Sequence, residues 1–196
     1  MKVLFATQNK GKLKEVKAIL NSSSIEVLSL IGIEEIPNVV EDGDTFEANA
    51  RKKAKEFYDH YRIPVITDDS GLETEQLLGL PGVISARYSG EKATDEANNQ
   101  KLLKELEKYP EPHKARFVCC AVYFDGKEFL SVSGHIEGAI TSDSRGVNGF
   151  GYDPLFIPNN YKKTMAELSP EEKNMISHRS QAIKKLKALL VEKCPV

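Results

Sequence analysis

The sequence predicts an α/β fold: a mixed β-sheet with helices packed on it. Three observations lead there. The chain opens in the order strand, polar loop, helix, strand, which favours a parallel pair joined by a crossover. Its second half holds two long strand-like runs, residues 115–124 and 128–140, joined through Asp125 and Gly126 in a hairpin pattern. Between and after these come stretches with apolar residues at helical spacing. The 196 residues contain no internal repeat and no composition shift that marks a linker, so one domain spanning 1–196, with room for a second lobe, accommodates them.

The elements follow in order. Residues 2–6 (KVLFA) read as a short buried strand. Asn9, Lys10 and Gly11 break it, and Leu13, Val16, Ile19 and Leu20 then predict a helix over 12–20. Residues 25–30 (IEVLSL) predict a second strand. Residues 41–44 (EDGD) read as a turn, with Asp44 a suitable cap and Glu47 its capping-box partner for a helix running to about Tyr61. Residues 64–67 (PVIT) predict a short strand that ends in a turn at Asp68, Asp69, Ser70 and Gly71. Residues 72–90 are mixed, and Gly79, Pro81 and Gly82 mark a loop. Thr94 or Asp95 caps a helix to about Lys108, stopped by Pro110 and Pro112. After the hairpin, residues 141–153 predict a long Gly- and Ser-rich loop. Ser169, Pro170 and Glu172 supply cap, first-turn proline and N3 acid for a helix that continues to about Lys193, with a break at Ser177 left open.

Composition narrows the function. Hydrophobic residues at 40% and charged residues at 29% exclude disorder, collagen and a coiled coil. A net charge of −2 argues against a nucleic-acid partner, so any phosphate binding must come from a local cluster. No run approaches a membrane span, and the apolar start is too short for a signal peptide. Cys119, Cys120 and Cys194 form an odd, unpatterned set, without CxxC or a His/Cys zinc pattern. That argues against a disulfide framework and for a reducing cytoplasm. In a strand, Cys119 and Cys120 point to opposite faces.

Five stretches carry candidate chemistry. Thr7, Gln8, Asn9, Lys10, Gly11 and Lys12 lie between a strand end and a helix start, where free backbone N–H groups and the helix dipole suit a phosphate chain. The spacing is not that of a Walker A loop, and a capped turn with solvated lysines accounts for the same residues. Asp68 and Asp69 follow an apolar strand, the end at which α/β sheets collect ligands. Adjacent carboxylates repel unless a cation or proton intervenes, and Mg²⁺ takes one or two of them together with substrate phosphates. A polar turn explains them equally. Glu41, with Asp42 and Asp44 nearby, has no obvious structural task and is a candidate to complete a metal site. Phe150, Gly151, Tyr152 and Asp153 follow Gly149. They offer an aromatic face for a base and a carboxylate for base N–H groups, or else a loop anchored in the core. Ser177, His178 and Arg179, with Lys173 upstream, offer donors to phosphate or to a purine carbonyl, or else a solvated helix face.

The blocks ATQNKGKLKE, GDTFEANARKKA, DDSGLE, GVISARYSG, GFGYDPLF and SHRSQAIKKL occur in one order from Val3 to about Leu189. In this the chain resembles the inosine/xanthosine triphosphate pyrophosphatases, house-cleaning enzymes for non-canonical purine nucleotides. The resemblance implies an elongated α/β structure of two lobes with a central nucleotide-binding cleft, usually a homodimer. It also implies Mg²⁺-dependent hydrolysis of ITP, dITP and XTP to the monophosphate and pyrophosphate in the cytoplasm. Thr7, Asn9 and Lys12 would hold the triphosphate, and Lys53 would reach phosphates. Glu41 and Asp69, with Asp68 beside them, would hold the metal. Asp69 would also be the catalytic base, and Ser70 would touch substrate. Phe150 to Asp153 would bind the base, and Lys173, His178 and Arg179 would read it and its 6-oxo group. Two rival readings stand beside this one: a Maf-like pyrophosphatase for other modified nucleotides, which the opening strand, loop and helix would serve equally, and a nucleotide sensor that uses the same pocket without turnover. The S-H-R and F-G-Y-D blocks favour the purine reading over the first. The paired acids argue against the second.

Overall fold

The computed structural model describes residues 1–20 and 25–193. Its elements are β1 (Lys2–Phe5), α1 (Lys10–Leu20), β2 (Glu26–Ser29), α2 (Phe46–Tyr61), β3 (Val65–Thr74), a 3₁₀ turn at Gly82–Arg87, α3 (Asp95–Leu106), β4 (His113–Phe124), β5 (Phe129–Ile140), β6 (Phe156–Pro158), a 3₁₀ turn at Met165–Glu167, α4 (Pro170–Ile176) and α5 (His178–Lys193). The strands form one sheet in the order β2-β1-β3-β4-β5-β6. β1 pairs in parallel with β2 and with β3, where Leu4 lies opposite Val65 and Phe5 opposite Ile66. β5 and β6 run antiparallel. The expected α/β fold with a mixed sheet is therefore the fold found.

The chain divides into two compact units. Unit 1 comprises Met1–Asp69, Cys119–Gly134 and Arg179–Val196, and unit 2 comprises Ser70–Val118 and His135–His178. In unit 1 the pleat of the strands sorts side chains into two cores. Val3, Phe5 and Ile66 join Leu13, Val16 and Leu20 of α1 and Ala182, Ile183 and Leu186 of α5. Leu4 and Val65 turn the other way, onto Leu30 and Phe57. Alternate residues point to opposite faces, and a parallel strand covered on both faces reads as a continuous apolar run, as KVLF does. In unit 2 one core gathers Leu72, Tyr88, Leu102, Leu106, Phe117, Ile140, Leu155 and Phe156.

The structure corrects several sequence expectations. β3 does not stop at Thr67. It runs ten residues through Asp68, Asp69, Ser70 and Gly71, so these lie in the strand and not in a turn. Acids are poor strand formers, which is why a turn reads better from sequence. The cap of α2 is Thr45, not Asp44: Thr45 has extended backbone, and its Oγ1 accepts from the Ala48 N–H at 3.1 Å. α3 is capped by Thr94 and ends two residues before the expected Lys108. β6 was not expected, and three residues are too few to show an alternation. The Ser169/Glu172 capping box is present, and Ser177 does end α4 before α5 begins at His178.

Among the described residues no helix is long and apolar enough to cross a membrane. Cys119 and Cys120 are buried free thiols, and Cys194 lies outside the described residues. The corrected cap gives a direct test. Thr45→Ala should destabilise by about 1 kcal/mol, and Asp44→Ala by less than about 0.5 kcal/mol. Thermal melts of the two variants distinguish them, since about 1 kcal/mol shifts Tm by roughly 2–4 °C at this size.

Candidate active site

In unit 1 the candidate groups come from the start of α1, from α2 and from the middle of β3. After β1 the chain turns on its own side chains: Thr7 Oγ1 accepts from the Asn9 N–H at 3.2 Å, and Asn9 Oδ1 accepts from the Lys12 N–H at 3.0 Å. Gln8, Asn9 and Lys10 are exposed and Gly11 is half-buried. Asn9 thus caps the Lys12 N–H at the exposed start of this eleven-residue helix. Lys12 instead turns inward, with its Nζ 3.0 Å from Asp68 Oδ2.

The pleat of β3 sends its two aspartates in opposite directions. Thr67 and Asp69 face α2: Thr67 Oγ1 donates to the Ala50 carbonyl at 2.7 Å, and Asp69 Oδ2 accepts from Asn49 Nδ2 at 3.0 Å. Asn49 also accepts from the Gly43 N–H at 2.8 Å, which ties the 41–44 segment to the same helix. Asp68 lies on the face of Ile66, among cations. Its Oδ2 is 3.0 Å from Lys12 Nζ and accepts from Arg179 Nε at 3.0 Å, and Cys119 Sγ lies at 3.8 Å. Arg179, 1% exposed, also donates from Nη1 to Glu15 Oε2 at 2.6 Å.

The two carboxyls respond in opposite directions. Burial alone would raise Asp68, but Lys12, Arg179 and Lys53 outweigh it and hold the carboxyl well below its ordinary range. Burial raises Asp69, Glu41 adds to the rise, and Lys53 and Asn49 offset only part of it. Lys53 sits between the acids: its Nζ lies 2.7 Å from Glu41 Oε1 and donates to the Asp68 carbonyl at 2.7 Å. Burial would lower this ammonium, yet Glu41, Asp68 and Asp69 together raise it. Among the described residues no group of three or more His, Cys, Asp or Glu side chains stands ready for a metal. Glu41 and Asp69 flank Lys53, whereas Asp68, grouped with them from sequence, is engaged by the Lys12 and Arg179 cations.

In unit 2 a second cluster forms around Asp153, which is 2% exposed. Its Oδ2 accepts from the Phe150 N–H at 2.9 Å and from Lys173 Nζ at 2.6 Å. The Lys173 ammonium, 5% exposed, lies 4.7 Å from the Phe150 ring centre. Gly149 is required here: at its φ of +82° a Cβ would stand 2.1 Å from Asp153 Oδ2. Tyr152 is core, its hydroxyl donating to the Ser85 carbonyl at 2.8 Å. His178 stacks on Phe117 at 4.9 Å and is buried. Ser70, the first residue of unit 2, is half-buried.

The structure thus brings Lys12, Asp68 and Arg179 together, and separately Glu41, Lys53 and Asp69. In unit 2 it gathers Phe150, Asp153 and Lys173. Sequence reading passed over Glu15 and Asn49. Both are buried polar residues beside the apolar stripes of α1 and α2, and that position is the signal that marks them.

The chain matches the Ham1 family over residues 3–189 and belongs to that family. A dITP/XTP pyrophosphatase of Oceanobacillus iheyensis is 48% identical over 192 residues, covering 96% of this chain and 98% of its own. A dITP/XTP pyrophosphatase of Bacillus subtilis is 49% identical over 189 residues, covering 95% and 96%. The solved structure of a HAM1 protein from Coxiella burnetii superposes with a TM-score of 0.89 at 38% identity, covering 98% of this chain and 99% of its own. The Staphylococcus aureus Ham1 protein gives 0.87 at 39% identity, covering 99% and 100%.

The two aspartates also set opposite stability effects. A depressed carboxyl such as Asp68 contributes stability that is complete above an ordinary pKa of about 3.9 and is lost as pH falls below it. A raised carboxyl such as Asp69 costs the folded state nothing in acid and its full penalty once ionised. At neutral pH without divalent metal, Asp69→Asn should therefore melt above the wild type and Asp68→Asn below it. Arg179→Ala should lose about 3–5 kcal/mol, because it removes the buried guanidinium that both Asp68 and Glu15 bind. Melting curves at neutral pH check all three.

Proposed function

We infer that this chain hydrolyses deaminated purine nucleoside triphosphates, dITP, ITP and XTP, to the monophosphate and pyrophosphate. The observation that carries the reading is the Glu41–Lys53–Asp69 arrangement: two carboxylates and one ammonium, with Asp69 raised by burial. A simple binder of phosphates gains nothing from such acids. Their two oxygen donors suit Mg²⁺, which takes one or two carboxylates and fills its shell with substrate phosphates and water. Bound there, Mg²⁺ supplies neutralisation of the phosphate chain and of the pyrophosphate leaving group.

The residues divide the remaining work. Asp69 accepts the proton of the attacking water, and its raised basicity brings it closer to the working pH than an ordinary carboxylate. Asn49 holds it in orientation. Lys53 stays protonated among the acids, and Lys12, Thr7, Asn9 and the N-terminus of α1 stabilise charge on the phosphates. In unit 2 the Phe150 ring stacks on the base and Asp153 accepts from base N–H groups. Lys173 and His178 present donors that favour a 6-oxo purine over adenine, whose 6-amino group is itself a donor. Arg179 donates its Nε and Nη1 to Asp68 and Glu15, so Lys173 and His178 carry the selectivity. The chain works in the cytoplasm as a homodimer.

Pyrophosphate release from dITP, ITP, XTP, GTP, ATP and dUTP, with Mg²⁺ and with chelator, tests the reading. Fast release from the first three alone, abolished by chelator, is expected. Asp69→Asn should lower kcat by about 10²–10⁴-fold, the usual contribution of a positioned base. A loss under tenfold would remove Asp69 from that role. His178→Ala should shrink the preference for dITP over dATP by about tenfold or more. An unchanged ratio would move base selection to another group.

A further inference from the structure

The loop that carries Phe150 reverses at Gly151, whose φ is +63°. Packing does not hold it from one side, because a cavity of about 480 Å³ runs along Val147, Phe150 and Gly151. Two hydrogen bonds hold it there. The Gly151 N–H donates to Asp95 Oδ2 at 2.7 Å, and the Gly151 carbonyl accepts from Asn99 Nδ2 at 3.1 Å. Asp95 and Asn99 stand one turn apart on the same face of α3.

α3 is itself a fixed support. Thr94 caps it, and Leu102 and Leu106 are fully buried. Asn98 donates to the Ser85 and Ala86 carbonyls, both at 3.2 Å, and accepts from the Ser89 N–H at 2.7 Å. The neighbouring asparagines thus hold two different segments: Asn98 the 3₁₀ turn and Asn99 the Phe150 loop. A glycine free to leave its left-handed state would let the Phe150 ring wander, and ordering it again would weaken binding.

We propose that Asp95 and Asn99 are positioning residues for nucleobase binding, which clamp both backbone polar groups of Gly151 and so fix the Phe150 ring for a purine. The proposal rests on the reading of Phe150 as the base platform. It makes two demands. Loss of the clamp weakens recognition of the nucleoside end and leaves the phosphate end intact. A variant that keeps an acceptor at 95 keeps the function.

Steady-state kinetics with dITP, together with competitive inhibition by inorganic pyrophosphate, test this on the full chain. D95A and N99A should each raise KM by about three- to tenfold, the range of a hydrogen bond competed for by water. kcat and the pyrophosphate inhibition constant should stay within twofold. D95N, which retains a carbonyl acceptor without the charge at the helix start, should lie near the wild type. N99A leaves that helix start untouched, so it serves if D95A melts early. F150A separates the two readings. A raised KM in F150A with wild-type KM in D95A and N99A overturns the clamp alone. No change in F150A overturns the platform and the clamp together. A KM rise accompanied by an equal rise in the pyrophosphate constant, or one that D95N does not restore, reports general loosening and also overturns the clamp.

Discussion

Two adjacent carboxylates can be buried in one strand of unit 1 because the pleat turns them to opposite faces. Asp68 and Asp69 differ by one residue and by everything else. One meets an ammonium and a guanidinium, and the other meets an amide and a second acid across a lysine. A shift of register by one position would exchange them, leaving the cations against the wrong acid. β3 is therefore constrained by charge as well as by the apolar alternation of Val65 and Ile66. The helices on its two faces are selected by the same requirement. α1 and α5 bring Lys12, Glu15 and Arg179 to one side, and α2 brings Asn49 and Lys53 to the other.

A buried ion network of this kind is weak evidence of stability, since well-packed apolar residues often do as well. Its value here is orientation. Arg179 and Lys12 favour the charged form of Asp68, which pins the strand beside Asp69. Asp69 shows the converse, a carboxyl kept at a cost to the fold. Groups retained against stability in this way mark working sites more often than structural ones.

Much of this was legible beforehand. Apolar spacing located α1, capping chemistry located α4, and the Asp125–Gly126 turn located the β4–β5 hairpin. The block order pointed to the family. What escaped reading depended on distant partners. The 68–71 stretch looks like a turn until Lys12, Arg179, Asn49 and Lys53 are known to surround it, for only they make acids tolerable in a strand. Arg179 looks like a solvated helix residue until Glu15 is seen beside it, 164 positions earlier in the chain. Asn49, Asp95 and Asn99 carry no motif chemistry of their own. They act by holding Asp69 and Gly151, and such support leaves no local pattern.

The contrast between buried and surface charge in unit 1 bears on how the protein responds to ionic strength. The outer side of α2 carries Arg51–Glu47, Lys52–Asp42 and Lys55–Asp59 pairs, all substantially exposed. Mobile ions screen such pairs over roughly 8–10 Å at physiological salt. They do not reach Arg179 and Asp68, whose side chains are 2% and 1% exposed. Added salt thus erodes these surface pairs but leaves intact the network that sets the two aspartates apart. The surface pairs and the buried network thus belong to different parts of the charge distribution, and a saline environment weakens the first without loosening the second.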